Sequence, residues 1–156
     1  MSDSLSFTAA RDDIMGVFLT AWTAGALEAQ IFYEDTGRAP LESSGQADFE
    51  FDTNKGGNPR TWIYATVQHY TGRQTTIGNG LRRFERTGAF RAEIYTARGT
   101  GLSLSDAACK VVADAFEGQK SPSGIWFRNV RMDEIGPDGV WFRVDVIAEF
   151  RYDERK

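Results

Sequence analysis

The chain has 156 residues, 41 % of them hydrophobic and 26 % charged, which suits one folded domain with its own core. Its formal net charge of −4 disfavours tight non-specific nucleic-acid binding, and its single cysteine, Cys109, excludes an internal disulfide framework. The opening MSDSLSF lacks the basic start and apolar core of a signal peptide, and no apolar run approaches the length of a membrane span, so the expected compartment of synthesis is a cytoplasm.

In chain order, FTAARDDIMGVFLTAWTAG at 7–25 predicts a helix. Ala10, Ile14, Val17, Phe18 and Ala21 share a face with Trp22 on its border. Ser6 or Thr8 can cap the start, and Gly25 can end it. QIFY at 30–33 reads as a short strand. Residues 35–60 are rich in Gly, Pro, Ser and Asn and predict a long loop, functional or mobile, with ADFEFD as its one strand-like fragment. There Asp48, Glu50 and Asp52 alternate with Phe49 and Phe51, so in a strand the three carboxylates would share a face. Such oxygens can hold a divalent cation, but a solvated acidic face or edge is the favoured reading.

TWIYATVQHY at 61–70 is a β-branched and aromatic run that predicts a strand, and TGRQTTIGNG at 71–80 a turn-rich connection. Residues 82–96 alternate: Phe84, Phe90, Ala92 and Ile94 face one way, Arg83, Glu85, Arg91 and Glu93 the other. Gly88 marks a bulge or a bend. Arg82, Arg83 and Arg86 beside Phe84 form a small basic patch, able to touch phosphates or else an ordinary charged strand surface.

The stretch YTARGTGLSLSDAACKVVADAFEG at 95–118 runs from strand through glycines into helix, the order of a phosphate-binding loop. A dinucleotide loop needs a third glycine where Leu104 stands, and no Gly-Lys-Ser/Thr follows, so Gly99 and Gly101 read as a turn. Ser103 is expected to cap the helix, with Asp106 in its first turn. Leu104, Ala107, Ala108, Val111, Val112, Ala115 and Phe116 form its apolar stripe, Asp106 and Lys110 pair on the far side, and Gly118 ends it.

Strands at 125–134 and 140–151, joined by the turn IGPDG, close the chain as a hairpin. In the last strand Phe142, Val144, Val146, Ala148 and Phe150 share one face. Arg143, Asp145, Glu149 and Arg151 share the other with Ile147, which predicts one buried and one wet or partner-covered face. Trp126 and Trp141 belong to the core or to an interface. The order of elements predicts an α+β fold in a single domain, 1–156: an antiparallel or mixed β-sheet with two main helices packed on one face.

The chemistry is sparse. His69, the only histidine, lies in a core-rich strand and reads as structural. No nucleophile-elbow sequence accompanies it, and one Cys with one His cannot furnish a zinc site. The residues point to no catalytic, cofactor or metal site and favour a binding or assembly protein over an enzyme.

Three segments together resemble one family. TAARDDIMGVF at 8–18 resembles the opening helix of the phage tail terminator proteins, also called tail-completion or minor tail proteins. RRFERTGAFRAEIYTARGTGLSLSDAACKVVADAFEG, from Arg82 on, resembles that family's strand, turn and second helix. IWFRNVRMDEIGPDGVWFRVDVIAEFRYDE resembles its closing hairpin. About two-thirds of the chain is covered, and 27–60 shows no match. The resemblance implies a sandwich of sheet and helices in a hexameric ring on the head-proximal end of a finished phage or prophage tail tube. The ring would end tube polymerisation and present a surface to the head connector, without catalysis or cofactor.

The implied partners are further copies of the chain, the tail tube protein and the head-tail connector protein, with DNA only passing through the ring and no membrane. The implied locations are the host bacterial cytoplasm during assembly and the virion tail. On these terms Asp48, Phe49, Glu50, Phe51, Asp52, Arg82, Arg83, Arg86 and Trp141 are the candidate assembly interface, with the acidic stretch of one subunit facing the arginines of the next. The alternatives are a head-tail connector (neck) protein, or a small enzyme or ligand-binding module with a pocket between helix and sheet.

Overall fold

A computed structural model describes residues 5–25, 30–33, 61–77, 80, 82–97, 102–139 and 141–156. Helix α1 spans Phe7–Ala24 and starts where Ser6 accepts a hydrogen bond from the Ala9 N–H at 3.1 Å, satisfying one of the free donors of the first turn. Ala10, Ile14, Phe18 and Trp22, four residues apart in turn, are buried. Trp22 therefore sits within the stripe, while Val17 and Ala21 are only partly buried.

The remaining elements are β1 (Gln30–Tyr33), β2 (Trp62–Gln74), β3 (Arg83–Ala97), α2 (Ser103–Phe116), β4 (Trp126–Asp138) and β5 (Trp141–Arg155). The sheet order is β1-β2-β3-β5-β4, with β1 parallel to β2 and every other pair antiparallel. The fold is thus α+β with a mixed sheet. Both helices cover the face carrying Ile63, Val67, Phe90, Ile94, Val146 and Phe150. Phe90 lies at the centre, its ring 5.2 Å from that of Phe18 on α1 and 4.7 Å from that of Phe116 on α2. Each such side chain contributes about 1.5–3 kcal/mol when fully buried.

Four local expectations are corrected. First, β2 does not stop at Tyr70 but runs to Gln74, because TGRQ pairs with β3 after a register shift between His69 and Thr71. Hydroxyls of Thr71 and Thr87 bond across the pair, and Arg73 meets Glu85 at 3.3 Å. The bulge lies in β2; Gly88, opposite His69, is the close-approach point facing it. Second, Ser103 is the first helical residue of α2 and not its cap. Leu102 takes that position with no side-chain bond, its carbonyl accepting from the Asp106 N–H at 2.8 Å.

Third, the buried stripe of α2 is Ser105, Ala108, Cys109, Val112 and Phe116, while Leu104 is half exposed. Two small residues, Ser105 and Cys109, stand where the helix meets the sheet, which rotates the stripe from the one hydrophobicity alone selects. Lys110 pairs with Asp114 at 3.0 Å and not with Asp106. Fourth, IGPDG is mostly strand. β4 continues to Asp138, and Pro137 lies opposite Phe142 on the sheet's outer edge, where a missing N–H breaks no ladder. Gly118 ends α2 as expected, with φ +64°.

Candidate assembly interface

Arg82, Arg83 and Arg86 lie at one end of the sheet, where β3 starts beside the end of β5, but they do not form one patch: Arg83 is on the face away from the helices and Arg86 on the helix face. Arg82 and Lys156 exchange backbone hydrogen bonds at 2.7 and 2.9 Å there. The charges of Arg83 and Arg86 are largely neutralised locally. Arg86 grips Glu154 through Nε and Nη2, both at 2.8 Å, with both side chains about 15 % exposed. Its guanidinium also lies over the rings of Phe7 and Phe84. Arg83 sits 3.8 Å from Asp153. These carboxylates are some seventy residues distant in sequence, so only the β3–β5 register reveals the pairing.

Trp141 is buried, 8 % exposed, on the sheet face away from the helices. It meets Trp62 edge-on, with centroids 5.9 Å apart, and Trp62 stacks flat on Tyr95 at 3.8 Å. Beside this trio lies an ion network. Arg143 binds Glu93 at 2.7 Å and Asp145 through two bonds of 2.8 and 2.9 Å, and the Tyr95 hydroxyl donates to Glu93 at 3.1 Å. The bond to Asp145 chiefly, with Glu93 adding, holds Arg143 still more firmly protonated than a free guanidinium. Glu93 and Asp145 lie on the second face of the sheet, as their alternation predicts, yet are only 1 % and 2 % exposed. The signal is their pairing, Glu93 against Asp145 and Tyr95 against Arg143, which alternation alone does not disclose.

Exposed apolar groups gather on the sheet's two edges. On β4, Trp126, Met132 and Ile135 are each at least half exposed. This strand is broken by register shifts at Arg128/Arg131 and Glu134/Gly136, the first holding Asn129 at φ +51°. Such bulges twist an edge away from indiscriminate pairing. On the opposite edge β1 pairs only with Trp62–Ala65, so β2 from Thr66 onward has no outer neighbour among the described residues. Tyr70 and, beyond the strand, Ile77 stand exposed there.

His69 and Cys109 both pack against the core. His69 bonds the Tyr152 hydroxyl at 2.8 Å between the rings of Phe7 and Phe150. Burial, then the charges of Arg11 and Arg86, lowers its pKa from the usual value. Burial pushes the Cys109 thiol up to about 11, far from a reactive thiolate. Among the described residues no three acidic, His or Cys side chains converge on a metal position, and no helix is long and apolar enough to cross a membrane. Asp48, Phe49, Glu50, Phe51 and Asp52, the rest of the 35–60 loop, and Gly99 and Gly101 lie outside the described residues.

No known protein family and no curated protein matches the sequence. Solved structures do: the chain is similar to one of them with a TM-score of 0.55 at 12 % identity, over 90 % of this chain and 93 % of that one. At that identity the likeness establishes the fold alone.

Proposed function

We propose that this protein is a structural component of a phage or prophage tail: a ring that caps the head-proximal end of the tail tube, ends its polymerisation and joins it to the head connector. The resemblance of 8–18, 82–118 and 125–154 to tail terminators motivates the reading. The observation that carries it furthest is the pair of unlike edges on opposite sides of the sheet, both open among the described residues. Copies joined through two different patches associate head to tail, and such contacts close into rings when the rotation allows. The bulged β4 edge with Trp126, Met132 and Ile135, and the β2 edge beyond Ala65, are two such patches. Arg82, Arg83, Arg86 and the 48–52 stretch remain the candidate contacts of the resemblance, with the arginines reduced in net charge by Asp153 and Glu154.

Electron microscopy and native mass of the purified protein, alone and with tail tubes, test this. Six-membered rings, and rings seated on one tube end, are expected. A protein that stays monomeric at millimolar concentration even beside tube ends overturns it.

A further inference from the structure

Strand β5 outruns its neighbour. β4 begins at Trp126, opposite Arg151, and the chain before it turns away through Ser121–Ile125. That turn is closed by bonds of Ser121 N–H to the Ile125 carbonyl, Gly124 N–H to the Ser121 carbonyl and Ile125 N–H to the Ser121 hydroxyl. Residues 152–155 of β5 therefore have β3 on one side and no strand on the other among the described residues. The register settles which groups are exposed. Arg82 and Lys156 exchange both backbone bonds, so in the alternating antiparallel ladder Glu154 and Tyr152 also bond toward β3. The N–H and C=O of Asp153 and Arg155 point the opposite way, into the open side.

This free strip floors a groove of about 520 Å³ walled by Leu5, Gly124, Trp126 and Arg128. Arg128, Arg151 and Arg155 face it against one carboxylate, Asp153, which itself lies near Arg83. Arg151 is engaged by Glu85 at 2.9 Å, whereas Arg128 and Arg155 form no ion pair among the described residues. Trp126 offers a half-exposed ring with the Lys120 ammonium 4.5 Å from its centroid. Backbone and cations without partners among the described residues, together with an aromatic wall, are the parts that strand addition uses: the main chain supplies affinity and the flanking side chains supply selectivity.

We propose that the Tyr152–Arg155 edge of β5 is a strand-addition site for an extended acidic segment of a partner protein, one that alternates carboxylates with apolar side chains. The carboxylates would meet Arg128 and Arg155, which share one face of the sheet with Trp126, and the apolar residues would turn to the helix face, beside Leu5. This assignment does not rest on ring assembly.

The test is calorimetry on the full chain with the synthetic peptide TEVDVEVT, whose residues alternate in this way and which is not a segment of this chain, and its neutral counterpart TQVNVQVT. The acidic peptide should bind saturably, and the neutral one about tenfold or more weakly. The double variant Arg128→Glu/Arg155→Glu should reverse the preference. Arg155→Pro should abolish binding, because it removes an N–H directed into the groove while the bonds to β3 come from its neighbours. An acidic peptide N-methylated at alternate positions examines the same backbone contact without altering the protein, and one of its two registers should fail to bind. Equal binding of the charged and neutral peptides, or binding indifferent to both protein variants and to N-methylation, overturns the proposal. So does self-association that these variants abolish and the acidic peptide does not compete, which would assign the edge to a second copy. Variants that lose the peptide yet still form rings separate this site from the assembly contacts.

Discussion

The two faces of the sheet are held by different physics. Under the helices, Phe18, Phe90, Phe116 and Val146 form a hydrocarbon layer whose stabilisation is non-directional and follows the area removed from water. On the other face, the stacked Trp62 and Tyr95 adjoin Arg143 held between Glu93 and Asp145. There desolvation of the charges opposes their attraction, so the net gain is small unless every partner is present. The first face should tolerate changes of shape in proportion to the volume lost. The second should tolerate removal of the whole network better than removal of one member.

The sharpest contrast comes from two substitutions. Phe90→Ala empties the centre of the helical face and should cost about 3–5 kcal/mol. A domain of this length loses about 2–4 °C of melting temperature per kcal/mol, so thermal unfolding reads the change directly. Arg143→Met leaves Glu93 and Asp145 side by side and should cost about 2–3 kcal/mol, below the full figure for breaking a buried pair. The reduction follows from the one-fifth exposure of Arg143 and from Arg91, 3.8 Å from Asp145. Adding Glu93→Gln and Asp145→Asn should recover most of the lost stability. If Arg143→Met melts like the parent, the network is screened by solvent and the contrast between the faces fails.

These faces also differ in how far the sequence discloses them. Ala10, Ile14 and Phe18 recur at helical spacing, and Phe90, Ala92 and Ile94 alternate as a strand must, so the helical face and the α+β class follow from period alone. Glu93, Arg143 and Asp145 obey the same alternation and read only as the face opposite the core, because period assigns a face but not what covers it. The turn-like TGRQ becomes strand only through pairing with β3. That Arg82, Arg83 and Arg86 lie at one end of the sheet is legible because they are neighbours, though alternation puts Arg83 on the opposite face from Arg86. Their neutralisation by Asp153 and Glu154 is not, because register is a tertiary fact. The strand-addition edge is illegible for the same reason: it exists because β5 extends past the point where β4 begins.

Gly88 joins the two faces to the bulge between them. A Cβ there would lie 2.0 Å from the Gln68 carbonyl oxygen and 2.6 Å from Phe150 Cζ, and the first of these is backbone that cannot swing aside. Gly88→Ala should cost about 1–3 kcal/mol by overpacking. Because Gly88 opposes His69 at the register shift, the variant should also weaken amide protection in Thr71–Gln74, the part of β2 beyond the bulge. Unchanged exchange there would mean that the crowding at Gly88 is absorbed without reaching the extension.

The smallest expected effect is a pH dependence from His69, which lies at the margin of the hydrocarbon face. Burial is the main cause of its lowered pKa, and the positive charges of Arg11 and Arg86 add to it, with Glu154 opposing. The folded protein therefore binds this proton less readily than the unfolded chain does. Above the usual histidine value neither state is protonated and the group has no influence. As pH falls below about 6.5 the unfolded chain gains the proton first, and stability declines until the lowered folded value is passed. The ring bonds the Tyr152 hydroxyl, itself pushed up to about 12 by burial, so that tyrosine stays neutral throughout this window. Melting temperature followed from pH 7 to pH 5 should fall in the parent. It should fall less in His69→Gln, which can keep a hydrogen bond to Tyr152 without titrating. Carboxylate protonation contributes to both curves, so the difference between them isolates the histidine. Parallel curves would mean that water reaches the ring freely and that His69 belongs to the solvated part of β2.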